Sequence, residues 1–344
     1  MKKWSYYGVY FLPIIVVLSF NLDGVFKFLP IFVFYGLLPL FELLIGPHHK
    51  NPDNIAVRAK DKVFNIPLYL AVPVQYGVLM YFLYQLSHFS FSTSEYVGMT
   101  LSMGLMCGVF GINIAHELGH RNKRFETLLA EMLLLTSLEM HFMPYHNNGH
   151  HFNVATPNDP ATARRGEPVY IFWFRSQIGS YFQAWALEKR RLSKKGKNWL
   201  SFSNKVLVYT IVQLLFIASV YFYYGAIVTG FYIAAALFGI LLLETVNYIE
   251  HYGLLREMKE NGRYEKVRHR HSWNSDHPLG RMMLFELSRH SDHHYKASKK
   301  YQTLQSFPDS PQMPTGYMGM MLFSLVPPLW YMIMNKRLDQ QCNL

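Results

Sequence analysis

Residues 206–246 read VLVYTIVQLLFIASVYFYYGAIVTGFYIAAALFGILLLETV, two apolar segments (206–224 and 227–246) that meet at Gly225 and are almost free of ionisable side chains. At a rise of about 1.5 Å per residue, a helix of roughly 20 apolar residues crosses the hydrocarbon layer of a bilayer. This stretch therefore predicts an all-α integral membrane protein, and the rest of the chain agrees. Four further segments of the same kind, 6–20, 25–45, 66–86 and 96–115, make six transmembrane helices in one domain over residues 1–344. Composition points the same way, with 51% hydrophobic and only 16% charged residues. The first segment lacks a small-residue cleavage site and runs straight into the second, so it reads as a retained helix rather than a signal peptide.

Lysine and arginine collect in short cytoplasmic connections. The connections 21–24, 87–94 and Gly225 carry none, whereas the amino terminus, 46–65, 116–204 and the tail after Asn247 are rich in them. That pattern predicts three hairpins, with both termini and the polar segments 116–204 and 247–310 on the cytoplasmic side. Lys27 is the exception and reads as snorkelling to the outer interface. The apolar segment 316–334 carries Pro327-Pro328 and predicts a re-entrant or interfacial helix covering the inner face. The net charge of +11 comes from residues flanking apolar segments, among them the basic run 189–197, with no base-reading motif. Membrane lipid accounts for it better than nucleic acid does. Cys107 and Cys342 form no CxxC pair, so the chain encodes neither a disulfide framework nor an iron–sulfur centre, and electrons for any redox chemistry must come from another protein.

All but three of the 16 histidines, His48, His49 and His88, fall in the two polar segments. Four clusters stand out: His116-Glu117-Leu118-Gly119-His120; Tyr145-His146-Asn147-Asn148-Gly149-His150-His151; Glu250-His251; and His290-Ser291-Asp292-His293-His294. Imidazoles three or four residues apart share a helix face and can reach a common ion. Together His116, His120, His146, His150, His151, His251, His290, His293 and His294 are nine candidate ligands, more than one ion accepts, which implies two. Imidazole suits iron, copper, zinc or nickel, and the lack of nearby thiolates removes the usual closed structural zinc site. Neutral rings do not cancel the charge of two ions, so acidic partners are predicted on their outer N–H groups, with Glu117, Asp159, Glu250 and Asp292 as the candidates. A zinc-protease reading of the HExxH element needs one further ligand and leaves the other clusters unexplained. A metal-free polar core would need a partner for every ring. A membrane metal-binding or transport protein would place its ligands at mid-span. His48 and His49 read as interfacial, and His141, His269, His271 and His277 as supporting residues.

Asn247-Tyr248-Ile249-Glu250-His251-Tyr252-Gly253-Leu254 and Arg289-His290-Ser291-Asp292-His293-His294, with the two earlier boxes, resemble the membrane alkane 1-monooxygenase family. That family lies within the membrane fatty-acid desaturase and hydroxylase superfamily, and the likeness extends over nearly the whole chain. The resemblance implies two iron ions held by the nine histidines, O2 as co-substrate, and electrons from rubredoxin and its NAD(P)H-dependent reductase. It also implies oxidation of medium- and long-chain n-alkanes to 1-alcohols at the terminal carbon. Motif 247–254 argues against a fatty acyl desaturase; the alternatives are a fatty acyl desaturase or hydroxylase and a xylene-type alkyl-aromatic monooxygenase. One departure is Tyr145, which stands where the family's second box usually has Glu before the histidine. An unactivated C–H bond offers no acidic proton and no leaving group, so redox-active metal rather than acid–base catalysis is required. A hydrocarbon substrate would enter from the bilayer through a channel between spans, with Phe32, Phe34 and Tyr35 setting its length.

Overall fold

The computed structural model describes residues 1–342 and is helical throughout, with two isolated β-bridges and no strand among the described residues. Five helices are long and apolar enough to cross a membrane: Lys3–Phe20, Gly24–Ile45, Lys62–His88, Thr93–Gly119 and Lys205–His251. The last has 47 residues and would reach about 70 Å if straight. It is not straight. Gly225 interrupts it at φ 80° and ψ 176°, a conformation that costs glycine little for want of a Cβ. The Phe216 and Tyr232 rings, 16 positions apart in sequence, then lie 5.9 Å apart, so the two apolar segments pack side by side as a hairpin. Asn204 starts the first limb by accepting the amides of Val206 and Leu207.

Helix Thr93–Gly119 is the most deeply buried of the five and lies against the returning limb. A Cβ on Gly239 would come 2.6 Å from that of Cys107, so only glycine permits this approach of the two backbones. The outer surface carries Ile14, Leu18, Leu44 and Phe222, all exposed large apolar side chains that need lipid rather than water. These features describe a multi-pass membrane protein.

The structure corrects several local expectations. The first histidine box does lie on a continuation of the fourth span, to Gly119, but the last helix also continues past the expected end at Val246 to His251. Lys27 does not snorkel: it is buried, donates to the Phe20 carbonyl at 3.0 Å and lies 4.4 Å from the Phe91 ring centroid. Segment 316–334 is two helices, Tyr317–Ser324 and Pro327–Cys342, and the paired prolines open the second, where a missing amide N–H costs nothing. Cys107 is buried and free, whereas the Cys342 side chain lies outside the described ones.

Candidate metal centre

The nine histidines singled out by sequence converge in two groups. His116, His120, His146, His151 and His293 form one, and His150, His251, His290 and His294 the other, with the ligand atoms of each group within 4.8 Å of one another. In the first group, His116 Nε2 stands 3.0 Å from that of His293 and 3.1 Å from that of His120. His151 Nε2 stands 3.0 Å from that of His146. In the second, His150 pairs with His294 and His251 with His290, each at 3.2 Å.

Hydrogen bonding between rings cannot explain this. A neutral imidazole has a single N–H, yet His120 Nε2 lies 3.1 to 3.2 Å from three other Nε2 atoms. The remaining lone pairs would face each other without a proton between them. Nitrogens bound at about 2.1 Å and at right angles to one metal sit about 3.0 Å apart, which matches the observed spacings. Each group can therefore hold a metal ion. Burial pushes the imidazoles of His146, His151, His290, His293 and His294 well below their ordinary range and that of His120 to about 3. The rings are thus neutral, as ligation requires.

Local backbone geometry assigns the rings to their groups. His116 and His120 stand one helical turn apart, just beyond a π-helical segment, Cys107–Asn113. His146–His150 is itself a π segment, in which the chain bonds five residues ahead rather than four. Accordingly His146 joins His151, and His150 turns to the other group, whereas the four-residue spacing had suggested that His146 and His150 act together. On helix His290–Tyr295, His290 and His294 share a face and His293 crosses to the first group.

Of the four expected acidic partners, Asp159 lies on the outer nitrogen of a clustered ring, and Glu117, Asp292 and Glu250 do not. Asp159 accepts a hydrogen bond from His150 Nδ1 at 2.9 Å. It also accepts from the hydroxyls of Tyr145 and Thr162, each at 2.7 Å. Burial pushes the Asp159 carboxyl up, but His150 and these hydrogen bonds outweigh it and hold it below the ordinary carboxylate range. Tyr145 thus reaches the centre through Asp159 and His150, and does not face the inner nitrogens itself. Glu117 pairs instead with Arg121 and accepts the Tyr301 amide. Asp292 pairs with Lys299 at 2.6 Å and accepts the Gln305 amide, so neither acid holds the outer nitrogen of a clustered ring. Glu250 lies on the inner side, its Oε2 3.1 Å from His290 Nε2 and its Oε1 accepting from Tyr317.

No other histidine joins the nine. His141 lies 3.2 Å from Glu139, His271 bonds Glu265, His277 bonds Ser275, and His269 stacks on Phe307. His49 bonds Asp276, and His88 caps its own helix through the Tyr84 carbonyl. Sequence reasoning missed the anchor of the last box. Arg289 is wholly buried, donates to Asp276 at 2.9 Å and also bonds the Leu304 and Lys50 carbonyls, tying 290–294 to two distant loops. Only its place inside the motif could have signalled it.

An apolar cavity runs between the second helix, the fourth helix, the returning limb and Tyr317–Ser324, and ends at His116, His146 and His290. Phe34 and Tyr35 line it. Phe32 does not: it is 57% exposed, on the face of the helix opposite the buried Phe34 two positions on.

Residues 93–324 match the family model described as fatty acid desaturase. The chain is 39% identical to alkane 1-monooxygenase 1 of Alcanivorax borkumensis over 90% of its own length and 77% of that protein. It is 38% identical to the alkane 1-monooxygenase of Pseudomonas putida, covering 93% and 80%. With the hydroxylase component of xylene/toluene monooxygenase of Pseudomonas putida it shares 26% identity over 95% of its length and 87% of that protein. Close identity to the first two over most of both chains, on a helical frame that gathers nine histidines, means that the chain belongs to the alkane 1-monooxygenase family, within the membrane fatty-acid desaturase superfamily.

Proposed function

We propose that the protein is a di-iron alkane 1-monooxygenase that converts n-alkanes to 1-alcohols, its two irons held by His116, His120, His146, His151 and His293, and by His150, His251, His290 and His294. The observation that carries this reading is the cavity. Its wall is formed by groups such as Leu105, Val109, Leu242 and Met318, and it touches histidines of both groups. A hydrocarbon has nothing for polar groups to recognise, so an apolar tunnel that admits a chain end and excludes water is the recognition it requires. When bound, the irons supply the activation of O2 and the removal of hydrogen that an inert C–H bond demands. The protein's own residues hold the chain end against His116 and His146 and keep the surrounding rings neutral.

Six spans account for the five apolar helices once the Lys205–His251 hairpin is counted as two. With lysine and arginine on the connections that carry the histidines, both termini and the metal centre lie on the cytoplasmic side of a bacterial inner membrane. Electrons come from a separate carrier, rubredoxin with its NAD(P)H-dependent reductase, because the chain has no CxxC pair for an iron–sulfur centre of its own. The test is reconstitution with rubredoxin, reductase and NADH, followed by assay of n-alkanes, xylene and fatty acids. Terminal alcohols from alkanes are expected; desaturated product with no alcohol overturns the reading.

Cavity shape sets a second expectation. In Phe34→Ala the rate on alkanes a few carbons longer rises by about tenfold relative to wild type, the scale on which a pocket discriminates by methylenes. Phe32→Ala leaves the chain-length profile in place, since that ring faces outward. Gas chromatography of products from a mixed alkane series reads both, and an unmoved profile in Phe34→Ala removes Phe34 from the length limit.

A further inference from the structure

Three polar side chains other than histidine and tyrosine line the cavity, and two of them are occupied. Glu250 accepts from Tyr317, and the Asn247 amide donates to Glu244 at 3.3 Å. Asn113 is different. It is only 9% exposed, and neither its Oδ1 nor its Nδ2 has a hydrogen-bond partner. A buried amide that no protein group meets is a stability cost that native proteins seldom leave in place without a bound molecule, water or ligand, to meet it.

Its position narrows the ligand. Asn113 is the last residue of the π segment Cys107–Asn113, lies three residues before His116, and lines the same cavity as His116, His146 and His290. π segments of this kind shift the register of a helix and are frequent at functional sites. An alkane can neither donate nor accept a hydrogen bond. The terminal hydroxyl of a primary alcohol does both, which is what an amide with a free oxygen and a free N–H can satisfy.

We propose that Asn113 is the hydroxyl-binding residue of the cavity: its amide takes the head group of a 1-alkanol, so that the product is held more tightly than the alkane from which it is made. The inference rests on the monooxygenase reading for the source of the alcohol, but its binding test does not. Alcohol release then becomes a step that the amide slows, and added 1-alkanol competes with alkane for the tunnel.

The experiment uses the purified full chain in detergent, with decane and 1-decanol as probes, in wild type, Asn113→Leu and Asn113→Ser. Thermal unfolding at graded ligand concentrations gives the affinity for each probe. The leucine variant matches the asparagine in size but carries no polar group, and the ratio of 1-decanol to decane affinity is expected to fall about tenfold, the scale of one well-placed hydrogen bond. The serine variant keeps one hydroxyl and falls between. Inhibition of decane hydroxylation by 1-decanol should weaken in the same order. An unchanged affinity ratio in Asn113→Leu overturns the proposal. Should the leucine variant fail to fold, an unchanged ratio in Asn113→Ser overturns it equally. Wild-type protein that binds decane but forms no alcohol sinks the monooxygenase reading, while the affinity ratio still judges Asn113.

Discussion

In His294→Ala, alkane hydroxylation is expected to fall below detection and bound metal to fall by about one ion per chain, with the protein still inserting into the membrane. His294 Nε2 belongs to the group of four, and its loss leaves His150, His251 and His290. Three imidazoles with no nearby thiolate hold a divalent ion much less firmly than four, and the vacated position opens to water. His120→Ala makes an informative contrast. It belongs to the group of five and leaves four ligands behind, so its metal loss is smaller than that of His294→Ala although hydroxylation is lost in both. Membrane insertion is unaffected because it depends on the apolar helices, which neither substitution touches. Elemental analysis of the purified variants, together with product assay, reads both effects. Wild-type metal content and rate in either variant would remove that histidine from the centre.

The second large effect is expected at Asp159. In Asp159→Asn, affinity for the ion of the four-histidine group drops by about 10- to 100-fold, the usual consequence of weakening the partner of a ligating imidazole. The carboxylate collects His150 Nδ1, the Tyr145 and Thr162 hydroxyls and the Ala161 amide, at 2.7 to 3.3 Å. All are donors. An amide at this position keeps one acceptor oxygen but presents an N–H to at least one of those donors, and it removes the negative charge that fixes the His150 tautomer. Because His151, the next residue, serves the other group, the perturbation stays largely on one ion. Metal titration of the purified variant should therefore show one weakened and one nearly normal site. Two sites both titrating as in wild type would mean that Asp159 only packs the loop.

The same network explains how the chain accommodates Tyr145 immediately before His146. A tyrosine in direct contact with the metal would change the charge of the centre. Here the phenol is spent on Asp159, with the Ala161 amide completing it at 3.2 Å, so the negative charge is supplied one residue further out. Nothing in the local sequence brings 145 and 159 together; the turns around Thr156 and Thr162 do.

Much of the site was legible because its signals are local. Imidazoles at four-residue spacing share a face wherever the chain is helical, and thirteen of the histidines crowd into two segments for which no bland explanation suffices. Among the acidic candidates the sequence named Asp159 but did not separate it from the others. Glu117 and Asp292 sit beside ligands in sequence, yet each turns to a cation, Arg121 and Lys299, because side chains one position from a ligand leave the helix in another direction. Asp159, remote from any box, reaches His150 through a loop. Phe32 and Phe34, two positions apart, fall on opposite faces of any helix, and which of them meets lipid and which the cavity depends on the rotation of that helix against its neighbours.

Sequence alone determined the class of the molecule and singled out the nine imidazoles that the fold gathers into two groups. Long apolar blocks must become membrane helices because unpaired backbone polar groups are intolerable in hydrocarbon, and clustered imidazoles at helical spacing share a face. Tertiary structure decided how five and four of those rings divide, which acid holds His150, and which amide stands unmet beside the tunnel. Those outcomes depend on the rotation of each helix about its axis, shifted by π turns and held by contacts such as Arg289 with Asp276 across 13 positions, and no short-range pattern encodes that rotation.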